Sequence, residues 1–306
     1  MRSPTKLGAL CSLLSLVSCG DPIKEAQRVE ELRVLGAQVS VDDDEARATV
    51  MPGEAAHVEW LLADPTGLAP LAVWSMQVCV AEETSYGVPF CRDAPFMTAE
   101  VSELSNLPPL LDFTVPDSAA LASATRLAVL ALFCDGGQPN LSDDFESSTC
   151  DGATTVQRAS FDIFLDNGDA PNHNPDLTGS RLSLGSAPWD DSPGTPDCND
   201  PNLLTLPAGS GEHLIELVLP ESAREPQVRE FDEIDLESLQ ISHVASLGRL
   251  DRPFSSIAPE DTSFTIQLPW EAPESLPQPM LASFYFVVRD GRGGASWLSR
   301  SLCVEP

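Results

Sequence analysis

Two stretches of the chain carry the same punctuation in the same order, and that repetition restricts the folds open to it. "PGEAAHVEWLLAD" and "PAGSGEHLIELVLP" each bring a histidine, His57 or His213, from a Pro/Gly turn to a strand start. Inward-facing residues then alternate: Val58, Trp60 and Leu62 in the first, Ile215, Leu217 and Leu219 in the second. Such period-two alternation marks a strand with one buried face. The interval from His57 to Pro116, which closes "LDFTVP", matches the interval from His213 to Pro269, which closes "FTIQLP", to within three positions. Asp135 of "FCDGG" stands as far beyond His57 as Asp290 of "VRDGRGG" stands beyond His213, to within a single position. Each glycine run follows a long apolar strand, "TRLAVLALFC" or "ASFYFVV". Each precedes a closing strand, "TVQRASFDIFL" or "SWLSRSLCV", with Arg158 and Arg300 in matching places. Landmarks that agree so closely over this distance predict two copies of one β-domain.

The glycine runs predict hairpins. A phosphate loop needs glycines between a strand and a helix whose N-terminal amides hold the anion. Here a strand follows, with Trp297, Leu298, Leu302 and Val304, and the glycines supply the positive φ of a turn. The first copy takes a longer path from Asp135 to Arg158 than the second takes from Asp290 to Arg300, and the insertion carries Cys150.

The N-terminus predicts export. Arg2 and Lys6 flank a short apolar run, "LGALCSLLSLV" at 7–17. That is a secretory signal, too short to cross the ~30 Å hydrocarbon layer as a helix. It ends in "LVSCGD", which resembles the bacterial lipobox: Leu16 at −3, Val17, Ser18, then Cys19. The resemblance implies a diacylglycerol on the Cys19 thiol, cleavage before Cys19 and acylation of its new amine. Cys11 then leaves with the signal peptide. Gly20, where an Asp would signal inner-membrane retention, points to the outer membrane.

The mature chain would hold 288 residues, 15 basic and 47 acidic, a formal charge of −32. With no basic stripe to neutralise phosphates, nucleic acid is excluded as a partner. Besides Cys19 it keeps six cysteines: Cys79, Cys91, Cys134, Cys150, Cys198 and Cys303. An even count in an exported chain favours disulfides over zinc, for which no C-x-x-C is present. Six cysteines allow 15 connectivities; the local pairs Cys79–Cys91 and Cys134–Cys150 are favoured, leaving Cys198–Cys303.

About seven short strands per ~130 residues resemble an immunoglobulin-like antiparallel sandwich. Trp74 of "LAVWSMQVCV" stands where such folds keep a core tryptophan. No cysteine lies on the second strand of either copy, so the antibody-type inter-sheet bond is missing. The second copy also lacks a Trp74 equivalent in "LQISHVASLG". Over its full length the chain resembles Gram-negative bacterial lipoproteins of uncharacterised role with tandem Ig-like β-sandwich domains. The expected order is a signal peptide (1–18), a tether (19–32), Ig-like domain 1 (33–165), a linker (166–176) and Ig-like domain 2 (177–306). Within it, 23–32 and 117–125 have some helical character.

Chemistry is sparsely signalled. Asp166, Asn167, Asp169, Asn172, Asn174 and Asp176 offer oxygens to calcium, but their spacing departs from the D-x-[DN]-x-[DN]-G loop and lacks its Glu. Such residues also serve any turn, so a metal-free linker is expected. "VDDDEA" at 41–46 is expected to be a solvated loop. The histidines His57, His173, His213 and His243 are scattered, and no H-E-x-x-H, G-x-S-x-G or Walker motif occurs. The sequence therefore predicts a lipid-anchored cell-envelope protein that is not an enzyme and has no cofactor. It would bind a protein or glycan, or serve a structural role. The alternatives are a calcium-stiffened adhesion or stalk module, and an accessory subunit or inhibitor of a secreted hydrolase.

Overall fold

The computed structural model describes residues 26–67, 70–82, 90–121, 124–142, 144–166, 171–190, 196–228 and 234–306. Cys19, the signal segment, Asn167 and Asp169 lie outside the described residues.

Alternation decides which strands meet. Arg33–Val41, Ala55–Ala63 and Leu110–Thr114 form an antiparallel sheet in that order. Facing it, Thr49–Val50, Val156–Leu165, Arg126–Cys134 and Ala72–Glu82 lie side by side, and Ala72–Glu82 carries Phe90–Cys91 and Met97–Ser105 on its far edge. Thr49–Val50 runs parallel to the end of Val156–Leu165. The inward residues of both sheets, among them Val58, Leu62, Val129 and Ala131, make one core centred on Trp60, whose ring meets Phe133 edge-on at 5.2 Å.

The second half repeats the plan. Arg181–Leu184, Glu212–Val218 and Thr265–Glu271 form the smaller layer, with Ala187–Pro188 and Arg249–Leu250 at its edges. Thr205–Pro207, Ala295–Glu305, Met280–Arg289, Leu239–Ala245 and Phe254–Ile257 form the other, again with its first strand parallel to the closing one. The chain is all-β, two immunoglobulin-like sandwiches in tandem, and no α-helix occurs among the described residues. Both glycine runs turn the chain, with Gly137, Gly291 and Gly293 at positive φ, but only the second is the tip of a hairpin; the first leads from Arg126–Cys134 into Gln138–Asn140, which pairs with Thr149–Asp151 inside the insertion. The aspartate before each run closes the turn. Asp135 accepts from Thr154 N and Thr155 N, and Asp290 from Arg292 N and Gly294 N.

Register corrects part of the repeat. His57 and His213 both begin the middle strand of the smaller layer but on opposite faces: His57 lies opposite the exposed Asp112, His213 opposite the buried Trp270. Pro116 and Pro269 are not equivalent either: Pro116 lies past its strand, whereas Pro269 sits inside Thr265–Glu271 opposite Leu214. Arg158 faces Leu132, three residues before Asp135, while Arg300 faces Phe284, six before Asp290. The match to Arg158 is Trp297, opposite Val287. Hairpin register follows turn geometry, so equal chain distance does not guarantee equal register. Trp74 is buried in the first core, but the deepest tryptophans are Trp60 and, in the second copy, Trp270.

Neither expected helix forms among the described residues. In 117–121, Asp117 O takes Ala120 N and Leu121 N in a single turn. Residues 26–32 are no tether: Val29 N donates to Ala245 O and Ala245 N to Gln27 O, adding a bridge to the second sandwich. Val29 and Leu32 are buried, so apolar contact outweighs local helix propensity there.

Two buried polar groups in the second sandwich gave no signal in the sequence. Arg224 donates to the carbonyls of Glu237, Ala258, Pro259 and Asp261, pinning the loop before Thr265–Glu271. His243 is fully buried beside Phe286, with neither ring nitrogen in a hydrogen bond. Burial, aided by the Arg252 charge, pushes its pKa from 6.5 down to about 4. An unfolded chain takes up this proton as pH falls through 6.5, and the folded chain does not until about 4. The stability is thus fully present above the unfolded value and is lost between the two, by roughly 3 kcal/mol at about 1.36 kcal/mol per pH unit. His243→Leu should remove this loss. In denaturation series from pH 7 to pH 4 the variant should fall less steeply than the parent; parallel curves would contradict the assignment.

Candidate functional site

The hairpin after Met280–Arg289 meets the first sandwich and the linker at one buried seam. Asp290 Oδ1 accepts Arg292 N at 2.7 Å and Gly294 N at 3.0 Å, while Oδ2 accepts Asn172 Nδ2 at 2.7 Å. Burial pushes this carboxyl above its ordinary pKa, and those donors and the Arg292 charge oppose the shift. Asn174 bridges both sandwiches: Nδ2 donates to Val39 O at 2.8 Å, and Oδ1 accepts Ala295 N at 3.0 Å. Arg289 Nη2 donates to Leu35 O at 2.7 Å, and burial lowers its pKa. Glycine is required here for close approach as well as for the turn. A Cβ on Gly294 would lie 2.7 Å from His173 O, and one on Gly293 would lie 2.7 Å from the Phe164 ring.

Beside these polar contacts an apolar patch joins Val29, Leu35 and Ala63 to Val244, Tyr285 and Val287. Burial, then the Asp64 charge, raises the Tyr285 hydroxyl to about 12, against the pull of Ser283. A charged chain flanks the seam. His173 bonds Glu225 at 2.6 Å and reaches Asp44 at 3.4 Å; Arg292 bonds Glu225 at 3.2 Å and also pairs with the buried Glu237. Burial raises the Glu237 pKa.

This seam revises two expectations. The 41–46 stretch is not merely solvated, because Asp42 bonds His57, which also bonds Asp112 at 2.7 Å, and Asp44 engages the linker. The Asp112 and then the Asp42 bonds raise the His57 pKa. In the linker, Asn172 and Asn174 are 3% and 7% exposed and hydrogen-bond to protein, and Asp176 accepts Thr178 N at 2.9 Å. Among the described residues no group of three or more His, Cys, Asp or Glu gathers as for a metal ion. The partners lie far away in sequence, which is why local spacing could not reveal them.

The cysteines pair as their spacing predicts. Cys79–Cys91 ties Ala72–Glu82 to its edge strand, Cys134–Cys150 closes the insertion, and Cys198–Cys303 holds a distant loop on the closing strand across 105 residues.

Two grooves adjoin the seam. One, between the sandwiches, is lined by Glu59, Leu61, Leu107, Tyr285 and Trp297. Burial raises the Glu59 pKa. The other lies on the open side of the first sandwich, among Gly36, Ala37, Trp60, Ala159, Phe161 and Asp162. Two buried atoms there have no hydrogen-bond partner, Trp60 Nε1 and Asp162 Oδ1.

No protein-family model and no curated protein matches the chain. Among solved structures, a Salmonella alpha-2-macroglobulin reacted with methylamine aligns at 12% identity and a TM-score of 0.26. That alignment takes in 93% of this chain and 17% of that one. A collagen adhesin from S. aureus aligns at 11% identity and a TM-score of 0.18, over 92% and 95% of the two chains.

Asn174→Ala should test the seam. It strands a buried carbonyl on one sandwich and a buried amide on the other, a loss of about 2–4 kcal/mol. Denaturant unfolding should show that loss, together with faster proteolysis in 166–176. A change within about 0.5 kcal/mol, the range of an ordinary surface substitution, would show that Asn174 does not hold the sandwiches together.

Proposed function

We propose that this chain is a lipid-anchored protein of the cell envelope, held by acylated Cys19, that works by binding or structural support. The observation that carries the reading is the seam. Asn174 and Asp290 join linker, hairpin and first strand, so the two sandwiches sit on the anchor as one stiff body. Such a body holds loops at a fixed distance from a membrane and presents them to a protein or glycan partner. The lipobox residues Leu16 to Cys19 and the −32 mature charge support export and an extended acidic surface.

The stalk reading draws on the same observation. Stiffness at the joint is supplied by hydrogen bonds, so it does not require the calcium that the linker composition suggested. Outer-membrane residence rests on Gly20 after Cys19.

The anchor is tested by detergent partitioning. Parent protein expressed in a Gram-negative host should enter the detergent phase and Cys19→Ser the aqueous phase, because stable anchoring takes two lipid signals or more. Parent protein in the aqueous phase would refute lipidation.

A further inference from the structure

The two sandwiches share a strand order but treat one side differently. In the second, the chain fills the gap between Arg181–Leu184 and Ala295–Glu305 with its own Trp189. Trp189 N donates to Leu182 O at 2.8 Å, and its indole Nε1 donates to Ser301 O at 3.0 Å. The ring packs edge-on against Phe284 at 4.9 Å, and Arg300 Nε donates to Trp189 O at 3.0 Å. That residue is 2% exposed: the plug belongs to the core.

The first sandwich has no such plug among the described residues. The outer edge of Val156–Leu165 is paired only at Phe164 and Leu165, by Thr49–Val50. Among the described residues, its backbone groups from Val156 to Ile163 meet no strand on that side. The core-facing Ala159 and Phe161 are only partly buried. Register slips between Val34 and Gly36, and Arg289 of the second sandwich holds Leu35 O. That bulge draws the first strand toward the seam and leaves the side open. The groove measures roughly 1070 Å³, including solvent at its mouth. At its floor Trp60 is 2% exposed, yet its indole N–H has no acceptor; Asp162, pointing to the opposite face from Phe161, accepts Arg126 Nη1 through Oδ2 at 2.9 Å. An unpaired buried N–H costs about 1–3 kcal/mol, so the floor of the groove is left unsatisfied at Trp60.

We infer that this groove docks an extended segment of a protein partner, which adds a strand beside Val156–Ile163 and inserts one aromatic side chain over Trp60 and Phe161. The partner's backbone would pair with the unpaired amides and carbonyls along Val156–Ile163, and strand addition is an established mode of recognition. The aromatic requirement follows from the second sandwich, where an indole fills the corresponding gap. The inference deepens the binding reading above and rests on it.

The probe is the chain's own plug, a capped synthetic peptide copying residues 181–190, "RLSLGSAPWD". Titrated into the mature Cys19→Ser chain, it should shift the Trp60 indole N–H resonance. A peptide with Ala for its Trp, and one N-methylated at alternate amides, should each bind at least tenfold more weakly. Ala159→Trp should fill the groove and abolish binding while keeping amide dispersion. The N-methylated peptide decides the question even if that variant fails to fold. Equal binding by the N-methylated peptide, binding without a Trp60 shift, or no binding at millimolar peptide would overturn the inference. A homodimer that Ala159→Trp dissociates would give the groove to a second copy and likewise overturn it. Failure of the peptide with detergent partitioning intact would sink the groove and leave the envelope reading standing.

Discussion

Asp290 uses Oδ1 to close its own hairpin on Arg292 N and Gly294 N, and Oδ2 to take Asn172 from the linker. The counterpart Asp135 closes its turn on Thr154 and Thr155 of the same sandwich. What the second copy adds is a turn short enough, and bare enough at Gly293 and Gly294, to be approached by His173 O and Phe164. Once the hairpin sits there, Ala295 N meets Asn174 and Arg289 meets Leu35 O. Tyr285 and Val287 then cover Leu35 and Ala63. Burial makes these polar contacts matter, since each satisfies a group that water cannot reach.

The sandwiches were legible because their signals are local. Period-two alternation around Trp60 and Ile215 marked the strands, and strand–glycine–strand context marked both turns, of which the one at 290–294 is a hairpin tip. Cysteine spacing indicated the two short disulfides and, by remainder, Cys198–Cys303. What failed depended on register or on distant partners. Pro116 and Pro269 kept their chain distance but not their strand positions, and Arg158 aligns with Trp297 instead of Arg300. Residues 27–29 look helical in isolation and instead pair with Ala245, because Val29 finds an apolar patch formed by residues from the far end of the chain. The linker's Asn and Asp side chains were expected to serve an ordinary metal-free turn. Only their burial shows that Asn172 and Asn174 are used as hydrogen-bonding struts.

The same comparison explains how two copies of one fold diverge. The second copy keeps a self-contained core, with Trp189 in its open side and Arg224 tying down a loop, but it accepts the buried, unpartnered His243. The first copy lends its opening strand to the seam through a bulge, and its side stays open with Trp60 Nε1 unpaired. Stiffness at the joint and an open edge beside it thus have one cause.

The central claim is that seam and sandwiches form one cooperative unit, and calorimetry of the mature chain tests it most directly. If the seam couples the halves, heating should give a single transition whose calorimetric and van't Hoff enthalpies agree. Replacing Asn172 and Asn174 together by alanine should split it into two. Two independent transitions in the parent chain, with midpoints that the double replacement leaves unmoved, would contradict the claim.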